Sequence, residues 1–298
     1  MPATVLHLVA VERLARDPRG LPADVARALA EDLEYARFGA ALPDLPYYGH
    51  LGGELVNLAF GRAPGMPPFA RLLHTAAPVA VGLKMAELVS RGALVGREPG
   101  IAVVTGYFTH LALDRQLHPI VETLLERWRR AGETVATAHR RIEWAQALFW
   151  LRETLGRELV GTADFSARCR VLKRRGLPVR GIGRGLYELV RSACADVLGP
   201  APSKADLDVW VRGLYAYGKV MGSPLGRRAA LPRDASGEYR TLYRGERLDV
   251  GAAIETALDR ARLYGTRVGA LIARGDFSPR ARGRFLAELP EGSLLCAA

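Results

Sequence analysis

The sequence predicts an all-α protein, and three observations carry that prediction. Ala, Leu, Arg and Glu are abundant and runs of β-branched residues are few, a composition that favours helix over sheet. Apolar residues recur at intervals of three and four through successive stretches, which lines them along one helix face. Proline and glycine punctuate those stretches where helices start and stop. With 49% hydrophobic residues in 298, the chain has material for a substantial core and is not of the disordered class.

Residues 4–16 read as the first helix, with His7 on the stripe of Val11 and Leu14; a histidine there points inward, as a core residue or as a ligand. Residues 22–38 read as a second helix, opened by Pro22 and stopped at Gly39. A loop punctuated by Pro43 and Pro46 follows and holds Asp44, either a cap or a ligand whose charge an ion balances. Residues 51–66 are glycine-rich and irregular, a helix runs from Pro67 or Pro68 through His74, and an apolar stretch covers 79–90. Glu98-Pro99-Gly100 reads as a turn before a helix over 101–117. Pro119 is expected to end that helix near His118 and to open another that closes near Gly132. Further helices are expected over 134–157, 184–198, 203–221 and 249–274, with 222–245 a loop, flap or linker. Gly181-Ile182-Gly183-Arg184-Gly185 lacks both the dinucleotide spacing and a preceding strand, so a Rossmann reading fails.

Metal-type residues cease beyond 160, so the chain divides into a metal-binding helical core (1–160) and a helical C-terminal region (161–298) expected to pack on it. No run of about 18 uncharged apolar residues forms a membrane span. The start of the chain lacks a basic, apolar and small-residue leader pattern, and a cytoplasmic location is the expectation. Cys169, Cys194 and Cys296 have no metal-like spacing and suggest no disulfide framework. A formal charge of +11, most of it arginine, suits an anionic substrate, an acidic membrane surface or nucleic acid; arginine-rich composition is also common in high-GC genomes.

The chemistry concentrates in Gly106-Tyr107-Phe108-Thr109-His110-Leu111-Ala112-Leu113-Asp114-Arg115-Gln116-Leu117-His118-Pro119. His110 and Asp114 lie four apart and share a helix face, so both can reach one ion. His118, at the expected corner, is free to face another. A lone buried histidine is commonly a hydrogen-bonded core residue, but His139 and Glu143 repeat the four-residue pairing on a second helix. His74 is preferred to His50 as a further ligand because it lies on an expected helix. No Ser or Cys sits in a nucleophile elbow, and no basic stripe interleaved with aromatics marks a stacking platform.

His7, Gly-x-x-x-Pro-Asp ending at Asp44, Gly-Tyr-x-x-His-x-x-x-Asp-x-x-x-His-Pro over 106–119, and His-x-x-x-Glu over 139–143 occur in this order. Together they resemble the bacterial zinc-dependent phospholipase C family, related to the S1/P1-type nucleases, over about residues 1–160. The resemblance implies a multi-helix bundle of the phospholipase C/P1 nuclease type with a helical C-terminal extension, holding two or three Zn2+ ions in a cleft. It implies that Asp114 bridges the ions, that Asp44, His74 and His110 complete one site, and that His118, His139 and Glu143 hold another ion. His7 would join Asp114 at a third. In the secreted phospholipases the N-terminal amine helps to bind one zinc, and Met1 here lies well ahead of His7, so that third site is the one in question. Imidazole and carboxylate donors suit zinc, and paired ions suit in-line displacement at phosphorus by an activated water, with Asp44 and Asp114 as the catalytic carboxylates, Asp44 orienting or deprotonating the water. The implied substrate is an anionic phosphodiester, a phospholipid at a membrane surface or a related soluble ester. The alternatives are a single-strand nuclease, for which the positive charge gives affinity, and a non-catalytic helical binding protein that keeps the fold.

Overall fold

A helix that is apolar all round belongs inside a fold rather than on its surface, and the residues from Gly100 to Asp114 are of this kind. In the computed structural model, which describes residues 4–49, 66–92, 94–174, 177–178, 181–230 and 248–294, every residue of that stretch is buried. Among the described residues the fold is all-helical apart from a two-residue antiparallel ladder, Lys173–Arg174 with Leu177–Pro178. The helices are α1 (Thr4–Arg16), α2 (Ala23–Glu31), α3 (Leu33–Ala41), α4 (Pro68–Thr75), α5 (Pro78–Ser90), α6 (Arg97–Trp128), α7 (Val135–Leu155) and α8 (Ala163–Cys169). They continue as α9 (Arg184–Leu198), α10 (Lys204–Met221), α11 (Pro224–Ala230), α12 (Val250–Arg274) and α13 (Pro279–Glu288), and a 3-10 turn spans Leu45–Tyr48. Helix α6, 32 residues and so about 48 Å long, is the axis; α1, α2, α3, α5, α7 and α12 all pack on it. No single described helix is long and apolar enough to cross a membrane.

Several boundaries differ from the expectation, each for a physical reason. Pro119 does not end the central helix but lies inside α6. Proline removes one helical hydrogen bond, and Leu117, Val121 and Leu124, buried on either side of it, keep the helix packed across the gap. Glu98-Pro99-Gly100 is the first turn of α6 and not a separate turn; there a missing N–H removes nothing from the helix ladder. The expected 22–38 helix is two helices, broken where Asp32 leaves helical geometry at φ −119° and ψ 39°. Gly39 does not stop the second helix but lies within α3. Within 222–245 a helix, α11, forms over Pro224–Ala230. Residues 51–65 of the glycine-rich 51–66 and most of the remaining 222–245 segment fall outside the described residues.

Gly39 has a packing role instead. A Cβ on Gly39 would fall 2.0 Å from the Val103 carbonyl oxygen, and one on Gly106 would fall 1.9 Å from the Ala36 carbonyl oxygen. The two glycines therefore let α3 and α6 touch backbone to backbone. The same device recurs at Gly213, where a Cβ would lie 2.0 Å from the Tyr48 carbonyl oxygen and would separate α10 from the 3-10 turn.

The segment after α13 is tied back across the bundle. Glu291 accepts from the N–H groups of Val79 and Ala80 at 2.8 and 2.9 Å, capping the open first turn of α5. The N–H of the buried Leu294 donates to the His74 carbonyl at 2.7 Å.

Candidate metal centre

The close approach of α3 and α6 sets the position of His110. One turn beyond Gly106, its Nδ1–H donates to the Ala40 carbonyl at 2.8 Å, which leaves Nε2 facing Asp114 Oδ2 at 3.0 Å. His74 repeats the pattern on α4: its Nδ1–H donates to the Ala70 carbonyl at 2.7 Å. Its Nε2 stands 3.5 Å from Asp44 Oδ1 and 3.6 Å from Asp114 Oδ2. When neutral, a ring whose Nδ1–H is held by a carbonyl presents a lone pair at Nε2, the usual outer support of a metal-binding imidazole. His7 enters from α1, stacked on His110 at 4.0 Å between ring centroids, with Nε2 3.3 Å from Asp114 Oδ1.

These separations resemble those of a coordination shell. Donor atoms about 2.05 Å from a tetrahedral zinc lie about 3.3 Å from one another, and the four imidazole–carboxylate contacts just given run from 3.0 to 3.6 Å. Among the described residues, two buried groups can each hold a metal ion: His7, His110 and Asp114, and Asp44, His74 and His110. Buried ring nitrogens are also left without hydrogen-bond partners, His7 Nδ1, His110 Nε2 and His118 Nδ1. Of these, His110 Nε2 stands beside the buried Asp114 carboxylate, a placement that fits a bound cation; His7 and His118 turn their other nitrogen, Nε2, toward Asp114.

The remaining predicted residues sit farther out. Because α6 runs through Pro119, His118 is not at a corner but one turn beyond Asp114 on the same face, with Nε2 3.9 Å from Asp114 Oδ1. His139, on α7, meets the His118 ring at 5.2 Å. Glu143 is one turn further along α7; burial first, then the charges of Asp44 and Glu143, raise the Tyr47 hydroxyl above its usual range. His118, His139 and Glu143 do not form one of the tight groups found among the described residues. His50 lies outside the described residues.

Burial and charge pull the proton affinities apart. Burial lowers His7 to about 4, assisted by His110, and lowers His139 to about 4, assisted by His118. His118 is lowered for the same first reason. Burial opposes charge on His110 too, but Asp114, with Asp44 and the Ala40 carbonyl, overrides it and raises this imidazole to about 9. Burial would likewise raise Asp114, and the surrounding imidazoles, His110 first, instead hold it well below the usual carboxylate range.

Two hydroxyls that were not picked out from the sequence complete the pocket. Tyr48 donates to Thr4 Oγ1 at 2.8 Å, and Thr4 donates to Asp44 Oδ2 at 2.8 Å, all three residues being buried. The chain ties one Asp44 oxygen to protein and leaves Oδ1 facing His74. Thr4 reads as an ordinary helix start, and nothing local pairs it with an aspartate forty residues on.

Compared with family models, curated proteins and solved structures, the chain matches none.

Proposed function

We propose that the chain is a zinc-dependent phosphodiester hydrolase, a helical bundle of the phospholipase C/P1 nuclease type. The observation that carries this reading is the division of labour at Asp114. Its Oδ2 faces Nε2 of His110 and His74, while its Oδ1 faces Nε2 of His7 and His118, an arrangement suited to a carboxylate shared by two cations. His74, Asp44 and His110 would hold one ion. His7 would join Asp114 on another, and His118 would hold a further ion with His139 and Glu143 from α7. When bound, paired zinc ions supply a hydroxide at neutral pH and polarise the phosphoryl oxygens.

The protein's own contribution is placement. Asp44, fixed at Oδ2 by Thr4, presents Oδ1 to orient an attacking water and accept its proton. Carbonyls fix the rings of His74 and His110, so little reorganisation accompanies charge development. The substrate is an anionic phosphodiester, with a phospholipid headgroup favoured over single-stranded nucleic acid.

Elemental analysis of the purified protein, paired with hydrolysis of a chromogenic bis-aryl phosphate, tests the reading. Zinc at two or more equivalents, activity abolished by chelation and restored by zinc, and preference for lipid vesicles over single-stranded DNA are expected. Protein that retains no divalent metal under zinc-replete conditions would overturn it.

A further inference from the structure

Helix α1 carries a second buried ionisable residue, Glu12, five positions after His7. That spacing turns it about 140° around the helix, away from the imidazoles. Arg37 donates Nε and Nη2 to Glu12 Oε1 at 3.1 and 2.8 Å, Arg168 Nε stands 3.2 Å from Oε2, and Arg16 Nη2 stands 3.6 Å from it. At the rim Arg157 donates to Asp164, whose Oδ2 is also 3.5 Å from Arg168 Nη1. These six side chains line a surface cleft of about 440 Å³.

The charge in that cleft does not balance. Four guanidinium groups, which stay protonated in proteins, face two carboxylates, so two positive charges remain uncompensated. Two of the four are deep: the Arg37 and Arg168 side chains are 13% and 11% exposed, and both lean on one carboxylate. Burying cation in such excess is costly unless an anion completes the set. The buried Arg168 Nε–H is also aligned with no acceptor, despite its closeness to Glu12. Glu12 holds the planes of Arg37 and Arg168 in place, and preorganised forks of this kind match phosphate oxygens. An excess of two charges suits a dianion better than the single charge of a diester.

We infer that the cleft between α1, α3 and α8 binds a phosphate dianion, free or as the end group of a small phosphomonoester. The site is separate from the metal centre and does not depend on the hydrolase reading. Calorimetric titration of the full chain with inorganic phosphate, at constant ionic strength and with EDTA present to silence the metal pocket, tests it. The comparison protein is the double variant Arg16→Gln, Arg157→Gln, whose replaced side chains are 68% and 57% exposed and whose fold should be unaffected. One-to-one binding, weakened at least tenfold in the variant, with phosphate raising the melting temperature of the parent alone, is expected. Glycerol 3-phosphate binding more tightly than phosphate would name a monoester as the occupant; equal or weaker binding would name free phosphate. Absence of saturable binding with EDTA present, or equal binding by both proteins, would overturn the inference.

Discussion

Helix α1 looks onto two surroundings charged in opposite senses. On one side His7 joins Asp44 and Asp114, buried acids whose ion-pair partners are imidazoles; of the imidazoles displaced in proton affinity, only His110 moves toward the charged form. On the other side Glu12 lies under three arginines. The first site is short of positive charge and the second has too much. Buried charge that the protein leaves unbalanced points to a ligand of the opposite sign, and on the two proposals one helix would be the partition between a cation centre and an anion cleft.

The comparison can be broken most directly at Asp114. Asp114→Asn removes the charge that faces four imidazoles, and it should strip the metal and lower turnover by more than about 100-fold, since even outer-shell partners of ligands are worth about 10–100-fold. Normal metal content in that variant would remove the cation centre from the comparison and leave only the anion cleft. Gly106→Ala comes next. Its methyl would collide with the Ala36 carbonyl, a backbone atom that cannot swing aside, so a loss of about 3 kcal/mol or more is expected from overpacking, read by denaturant unfolding. A variant as stable as the parent would mean that α3 and α6 are not in backbone contact.

Thr4→Val sharpens the cation side without changing its charge. Freed at Oδ2, Asp44 can rotate, and zinc affinity should fall by about 10–100-fold while Thr4→Ser restores it; equal affinity in both variants would reduce Thr4 to packing. The smallest effect belongs to the anion side. Arg16→Gln should change stability by no more than about 0.5 kcal/mol in phosphate-free buffer, because its contact with Glu12 is long and its side chain exposed. A larger loss would mean that the arginines serve the fold and not a ligand.

Much of this was legible in the sequence because it is local. The ends of α1, α4, α9, α10 and α12 lie close to the expected boundaries, since caps and proline starts act within a turn. The pairing of His110 with Asp114 follows from helical periodicity alone. The fate of Pro119 and Gly39 was not legible, because both are decided by what packs across from them. Thr4, Tyr48 and two of the arginines on Glu12, Arg37 and Arg168, were missed for the same reason: their partners lie 25 or more residues away. One sign was present. Glu12 follows Leu8 by one turn on a helix whose neighbouring positions are apolar, and an acid on such a face calls for a partner.

The backbone hook from Leu294 to His74 has a bearing on biosynthesis. At about 5–20 residues per second, residue 294 leaves the ribosome roughly 15–60 s after His7 does. During that interval the His74 carbonyl lacks the backbone hydrogen bond that Leu294 later supplies. On the proposed metal-dependent reading, the His74 site would reach its final form only after synthesis rather than during it.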